Sequence, residues 1–118
     1  MNKELREKIY KKYNGRCAYC GKQIEYKDMQ VDHLMPQRNG GTDKLSNLMP
    51  SCRLCNHYKR AHALETFRDM IAKIPDNLQD NYIYKVALRY GNIQVCNDNK
   101  IVFYFEKCYE NGGDDCVE

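Results

Sequence analysis

Apolar residues near the start of the chain recur at intervals of four, the spacing that places side chains on one face of an α-helix. This stripe consists of Leu5, Ile9 and Tyr13. It predicts a helix over residues 2–13 whose apolar face packs into the core. Asn14 and Gly15 follow directly and are residue types that end helices, so the first element is expected to stop there.

A β-hairpin is predicted next, from two short segments on either side of a polar loop. Residues 29–34 favour a strand that stops at Pro36, and residues 45–50 favour a second strand that returns beside it. The intervening loop, residues 37–44, is polar and contains two adjacent glycines, which are typical of a turn.

Helical periodicity resumes after the hairpin and continues to Pro75. Residues 56–60 are expected to be helical, and four later apolar residues keep a helical spacing. They are Leu64, Phe67, Ile71 and Ile74. The pattern fits one bent helix or two separate ones.

The last third of the chain is less informative. Apolar residues spaced four apart predict a helix over residues 77–90 with a left-handed stop at Gly91. Residues 101–105 are rich in β-branched and aromatic side chains and predict a strand. We therefore expect a core with the N-terminal helix over residues 1–75, and an extension of unknown role over residues 76–118 whose acidic tail is mobile from Glu110.

Length and composition limit the fold to one compact domain. The chain has 118 residues, of which 42% are apolar, so two full domains are excluded. Its mean hydropathy of -0.82 indicates a thin apolar core that a staple such as a metal ion would stabilise. No run of about 18 apolar residues is present, and the first residues are charged, so we expect a cytoplasmic protein.

The charge is distributed unevenly along the chain. There are 19 basic and 16 acidic residues, but four of the acidic ones lie in the last nine positions. The first 109 residues therefore carry 19 basic and 12 acidic groups. Clustered basic residues attract polyanions, so nucleic acid is a candidate partner, although many soluble surfaces have a similar balance.

Cysteine spacing predicts a metal site. Cys17 and Cys20 form one pair separated by two residues, and Cys52 and Cys55 form an identical pair. Four thiolates in two such turns suit a tetrahedral structural zinc ion. A disulfide framework or a redox pair is the alternative, and neither is favoured in an intracellular chain. The other three cysteines follow no pattern and are expected to be ordinary or surface thiols: Cys96, Cys108 and Cys116.

The 31 residues between Cys20 and Cys52 hold the predicted hairpin and are too many for a simple zinc ribbon. This region resembles the HNH endonuclease family, and the resemblance covers roughly residues 10–72. The residues that carry it are Arg16-Cys17-Ala18-Tyr19-Cys20-Gly21, Val31-Asp32-His33-Leu34, Gly40-Gly41-Thr42-Asp43, Ser46-Asn47-Leu48-Met49-Pro50, Cys52-Arg53-Leu54-Cys55-Asn56 and Lys59.

The resemblance implies an α+β protein with a small ββα-metal, treble-clef-like nuclease core and a separate structural zinc. His33 matches the general base of the family, and Asp32 and Asn56 match the ligands of a catalytic divalent ion. Asn47 matches an asparagine that braces the hairpin, and Lys59 matches a basic position after the helix ligand.

The chemistry of these residue types supports the same roles. A neutral imidazole with a pKa of about 6.5 can accept a proton from water, which suits His33 to activate the nucleophile. A carboxylate and an amide oxygen suit a hard ion such as magnesium or manganese. His57 and His62 are more often solvated helix residues and are left out of the site. The expected nucleic-acid contacts are Lys59, Arg60, Arg38, Lys12 and Arg16.

Asp32 and His33 pose one geometric difficulty. Neighbouring residues in a regular strand point to opposite faces, yet both side chains are needed at one site. The strand is therefore expected to twist, bend or end at this point, and Pro36 makes an ending plausible.

The leading hypothesis is a metal-dependent endonuclease that hydrolyses DNA. The alternative is a noncatalytic zinc module that binds nucleic acid or a protein. An RNA substrate is a further option, because backbone contacts carry no base sequence. The chain is expected to act as a monomer or homodimer in the cytoplasm of a bacterium, or to be encoded by a phage, a mobile element or a defence system.

Overall fold

A computed structural model describes residues 1–96 and 100–110. The helices and strands are α1 (Lys3–Lys11), β1 (Gln30–His33), β2 (Leu48–Ser51), α2 (Arg53–Lys59), α3 (Leu64–Ala72), α4 (Ile74–Asn77), α5 (Tyr82–Arg89) and α6 (Tyr104–Glu110). A two-stranded sheet with several helices confirms the expected α+β class. No helix among the described residues is long and apolar enough to cross a membrane.

The described residues divide into two compact units. The first contains residues 1–64 and 102–110, and the second contains residues 65–101. The predicted division into a core over residues 1–75 and an extension over residues 76–118 remains a prediction. The acidic tail beyond residue 110 lies outside the described residues.

Helix α1 confirms the first predicted element, although it is shorter at both ends. The side chain of Asn2 accepts a hydrogen bond from the backbone N–H of Leu5 at 2.7 Å, which caps the helix. Ile9 and Tyr13 are almost completely buried, as their spacing predicted, and Leu5 is half-buried.

The predicted hairpin is present, with small shifts in its boundaries. Strands β1 and β2 are antiparallel, with Asp32 opposite Met49 and His33 opposite Leu48. β2 begins at Leu48 because residues 45–47 form a 3-10 turn, which shortens the strand predicted from residue 45. All four residues of β2 are buried, so this strand forms the centre of the first unit.

Two separate helices follow the hairpin, which decides between the alternatives left open by the sequence. α2 ends at Lys59, because Arg60 adopts a φ of +54° that a continuing helix does not allow. α3 then begins at Leu64.

In the second unit, the helix predicted over residues 77–90 is present in a shorter form, as α5 over Tyr82–Arg89. α4 ends at Asn77, and Asn81 starts a new helix because its side chain accepts a hydrogen bond from Tyr84 N–H at 2.9 Å. The predicted helix is therefore found, with a later start than predicted. Gly91 has a φ of +74°, which confirms the predicted left-handed stop after α5.

The prediction of a strand over residues 101–105 is wrong, because α6 begins at Tyr104. The carboxylate of Glu106 accepts a hydrogen bond from Phe103 N–H at 2.9 Å, which favours a helix start over an extended segment. The backbone N–H groups of Tyr104 and Phe105 donate to the carbonyls of Tyr19 and Ala18, at 3.0 and 2.9 Å. Tertiary contacts thus determine the conformation of this segment, and its local strand propensity does not reveal them.

The aromatic side chains of this segment complete the core of the first unit. Phe103 and Phe105 are 3% and 7% exposed and stack with a centroid separation of 6.4 Å. Both rings meet the Tyr19 ring edge to face, at 5.6 and 6.2 Å. Residues distant in sequence therefore pack directly against the first cysteine pair.

We predict that Phe103→Ala lowers the free energy of unfolding by about 3 kcal/mol, because it leaves a cavity beside Tyr19. Denaturant unfolding followed by circular dichroism measures the effect. Leu54→Ala is the control, since Leu54 is 77% exposed. Equal stability of Phe103→Ala and the unaltered chain would show that this segment is not part of the core.

Candidate functional site

The four paired cysteines converge at one point. Their sulfur atoms all lie within 4.8 Å of one another, and the Sγ atoms of Cys20 and Cys52 are 3.7 Å apart. Sulfurs about 2.3 Å from a tetrahedral zinc ion are separated by about 3.8 Å, so the spacing fits zinc. The geometry is compatible with the predicted structural zinc site, held by Cys17, Cys20, Cys52 and Cys55.

The charge of the sulfur cluster also fits a bound cation. A hydrogen bond from the Cys55 thiol lowers the pKa of Cys17 to about 4, and the same contact raises the pKa of Cys55. Burial raises the pKa of Cys20 to about 11. The low pKa of Cys17 favours negative charge in the cluster, and a bound divalent ion would favour deprotonation of all four sulfurs.

Local backbone structure shapes the first cysteine turn. Gly21 has a φ of +79°, and a Cβ atom there would lie 2.9 Å from the Tyr104 ring. The turn therefore requires glycine, because a larger residue would meet both backbone strain and α6. Ala18 N–H donates to the carbonyl of Pro50 at 2.8 Å, which joins the turn to β2.

The other cysteines differ from one another. Cys96 is a free, exposed thiol, as expected. Cys108 is fully buried and disulfide-bonded, so the expectation of an ordinary thiol is wrong there. Cys116 lies outside the described residues.

Asp32 and His33 share one cavity, which answers the geometric difficulty posed by their adjacency. β1 ends at His33, and a bend follows at Leu34. Both side chains line a cavity of about 320 Å³ in the first unit, together with Arg38 and Arg60. The end of the strand thus lets two neighbouring residues reach the same space.

Asp32 is held by two buried partners. The hydroxyl of Tyr19 donates to its Oδ2 atom at 2.5 Å, and Lys59 Nζ lies 2.9 Å from the same oxygen. Burial, followed by the charge of Asp32, raises the pKa of Tyr19 well above its ordinary value, so this hydroxyl remains a donor. Both partners therefore hold the same oxygen of the carboxylate, Oδ2.

Lys59 occupies a different place from the one expected. Its side chain is completely buried, and its Nζ atom also donates to the carbonyl of His33 at 3.1 Å. Contact with backbone phosphates would require the amine to leave the carboxylate, which is unfavourable for a buried ion pair. In this structure Lys59 instead fixes the end of β1.

The other expected basic contacts separate into two groups. Arg38 and Arg60 are exposed and line the cavity beside Asp32. Lys12 Nζ donates to the carbonyl of Leu45 at 2.7 Å, and Arg16 donates to the carbonyl of Gly21 at 2.9 Å. Lys12 and Arg16 therefore support backbone structure, and only the two cavity arginines lie beside the candidate site.

Asn47 braces the loop that connects the two strands. Its Oδ1 atom accepts from Met35 N–H at 2.8 Å, and its amide donates to the carbonyls of Met35 and Thr42 at 3.1 and 2.8 Å. A side chain that satisfies three backbone groups acts on the site indirectly, through the loop.

Asn56 lies on α2, half-buried and three residues before Lys59. It is not among the residues that line the cavity with Asp32 and His33. Arg60 follows the helix in a left-handed conformation and does not continue the helical face of Asn56. His57 is exposed on the same helix, and both His57 and His62 lie outside the cavity lining.

Two residues of the site were not predicted from the sequence. His33 Nε2 lies 2.8 Å from Oδ1 of Asp43, and Tyr19 holds Asp32. The only sequence signal was position, since Asp43 lies in the glycine-rich loop and Tyr19 lies between two ligand cysteines.

A cluster of four cysteines beside a β-hairpin and the helix that follows it defines the class of this domain as a ββα module with a candidate metal site. Residues 17–72 match the model of the HNH endonuclease family. This match confirms the resemblance to the HNH endonuclease family that was predicted from the sequence.

Two relatives are similar over this segment. The CRISPR-associated endonuclease Cas9 of Corynebacterium diphtheriae is 38% identical over 47 residues, and that of Actinomyces naeslundii is 41% identical over 44 residues. These alignments cover 39% and 36% of this chain and 4% of each relative. The crystal structure of the Type II-C Cas9 enzyme from Actinomyces naeslundii is similar with a TM-score of 0.52 and 28% identity. That match covers 57% of this chain and 8% of the Cas9 chain.

We predict one zinc ion per chain, bound by the sulfur cluster. Cys55→Ser should lose the zinc and unfold, because binding of the ion contributes to the free energy of folding. Elemental analysis and circular dichroism measure both effects. Cys96→Ser is the matched control and should keep its zinc, since Cys96 is a free, exposed thiol. Full zinc content in Cys55→Ser would contradict the four-cysteine site.

Proposed function

We propose that this chain is a metal-dependent endonuclease that hydrolyses phosphodiester bonds of DNA. The observation that carries the proposal is the shared cavity, in which a carboxylate and an imidazole meet two arginines. The match of residues 17–72 to the model of the HNH endonuclease family supports it. Since the chain spans 4% of the curated relatives that it matches, the activity and substrate of those proteins are carried over only as a proposal.

In this proposal His33 is the general base. Its side chain is 28% exposed, so a water molecule can reach the ring from the cavity. The imidazole accepts a proton from this water, and the resulting hydroxide attacks the phosphorus atom. The two arginines attract the phosphodiester and orient it, because guanidinium groups match phosphate oxygens.

Asp32 and Asn56 are proposed to hold the catalytic ion. Asp32 lines the cavity, and its carboxylate is a hard oxygen donor, which fits magnesium or manganese. When bound, such an ion supplies positive charge beside the phosphoryl oxygens. Asn56 would complete the ligand set with its amide oxygen.

DNA is the proposed substrate because the first 109 residues carry an excess of basic groups, and RNA is the alternative. Arg38 and Arg60 line the cavity and are the proposed phosphate contacts. Contacts to phosphates do not distinguish base sequence. A monomer would cut one strand at a time, so a double-strand break would need a homodimer or two successive cuts. A bacterial or phage-encoded origin and a cytoplasmic location remain predictions.

One observation favours the alternative, a noncatalytic zinc module that binds nucleic acid or a protein. Asp32 already has a buried lysine and a tyrosine as partners, so its charge is compensated without an added ion. In that case the ion pair would be only structural. A cleavage assay separates the two functions.

We predict that the purified chain cleaves plasmid DNA in the presence of magnesium or manganese. His33→Ala should reduce the rate by about 100-fold or more, because general-base catalysis contributes about that factor. His57→Ala is the matched control, since His57 is exposed and outside the cavity lining. Failure of the unaltered chain to cut supercoiled, linear or single-stranded DNA would favour the binding module.

We also predict that the two metals can be removed separately. Mild removal of magnesium should stop cleavage and leave the circular dichroism spectrum unchanged, whereas a chelator that strips zinc should unfold the chain. Cleavage and circular dichroism are followed in parallel as the chelator is titrated. Loss of both signals together at every concentration would contradict separate roles for the two ions.

A further inference from the structure

The contact between His33 and Asp43 carries an inference about the general base. Asp43 Oδ1 lies 2.8 Å from His33 Nε2, although the two residues are ten positions apart. A contact across this separation forms only if the loop between the strands folds back over the end of β1. Asp43 is thus the acidic partner that the structure places on the imidazole.

The loop is built to make this contact. Gly41 N–H donates to the carbonyl of Pro36 at 2.9 Å, and a Cβ atom on Gly41 would lie 1.7 Å from the carbonyl oxygen of Met35. Only glycine allows so close an approach of two backbone segments. The amide of Gln37 donates to Oδ1 of Asp43 at 3.1 Å, which holds the carboxylate from a second side.

The chemistry of His33 and Asp43 determines which of them donates the hydrogen bond. Hydrogen bonding from His33 lowers the pKa of Asp43, so this side chain is a carboxylate at neutral pH. A carboxylate can only accept hydrogen bonds, and Nε2 must therefore carry the proton that joins the two groups. In a neutral imidazole the other nitrogen, Nδ1, then holds the free lone pair.

We propose that Asp43 is a positioning residue that fixes His33 as the Nε2–H tautomer, so that Nδ1 is the nitrogen that takes a proton from water. The inference rests on the proposed function and adds a positioning residue to it.

The water O–H bond breaks as the Nδ1–H bond forms, and the hydroxide forms a bond to phosphorus. The leaving oxygen departs with the electron pair of the broken P–O bond and gains a proton from solvent. Asp43 stabilises the imidazolium until it returns its proton to water.

Nitrogen-15 NMR of the chain loaded with zinc, in the absence of magnesium and manganese, tests the tautomer without relying on cleavage. We expect a protonated Nε2, an unprotonated Nδ1 and a resolved Nε2–H signal in the unaltered chain. Asp43→Ala should lose that signal, because the exposed N–H then exchanges with water. Asp28→Ala, which changes an exposed aspartate of the same unit, should keep it. A proton on Nδ1, or an unchanged Nε2–H signal in Asp43→Ala, would overturn the proposal.

Cleavage kinetics test the consequence for catalysis. Asp43→Ala should lower kcat by about 10- to 100-fold with little change in KM, because loss of an outer partner misorients the base without removing substrate contacts. Asp28→Ala should retain the kcat of the unaltered chain. An unchanged kcat in Asp43→Ala would overturn the positioning role even if NMR shows the contact. If the unaltered chain does not cleave, the proposed function fails, whereas the tautomer assignment is still decided by NMR.

Discussion

The first unit depends on one constraint, the convergence of four sulfur atoms from two turns separated by 31 residues. Closing a loop of this length costs conformational entropy, which the binding of a single ion can offset. The hairpin lies inside the closed loop, and α2 begins on a ligand, since Cys52 Sγ accepts from Cys55 N–H. The position of each strand and of the following helix is thereby tied to the sulfur cluster.

The sulfur cluster and the candidate active site are physically connected. Tyr19 lies between two cysteines of the sulfur cluster, and its hydroxyl reaches Asp32 at the end of β1. Lys59 approaches the same carboxylate from α2 and balances its charge within the core. The two sites differ in exposure to solvent, since the sulfurs are mostly buried whereas Asp32 and His33 line a cavity. The end of the short strand β1 allows this change from a buried to an open environment.

Local sequence signals predicted the features that depend on spacing, including the cysteine pairs, the stripe of α1 and the hairpin. They failed where distant contacts decide the outcome. Phe103 and Phe105 have strand-forming side chains, yet their segment enters α6 because Glu106 and the carbonyls of the first cysteine turn take up its N–H groups. Lys59 was expected to be an exposed contact, and only the folded chain shows that a buried carboxylate faces it. The role of Asp43 depended on a loop conformation that no local pattern specifies.

The return of residues 102–110 to the first cysteine turn has a consequence for biosynthesis. The carbonyls of Ala18 and Tyr19 and the Tyr19 ring receive partners from residues 103–105, so these contacts cannot form while the ribosome still holds that segment. All of residues 65–101 must be translated in the interval. A nascent chain that has bound zinc would therefore still expose one side of Tyr19, and its core would close late, after translation has passed residue 105.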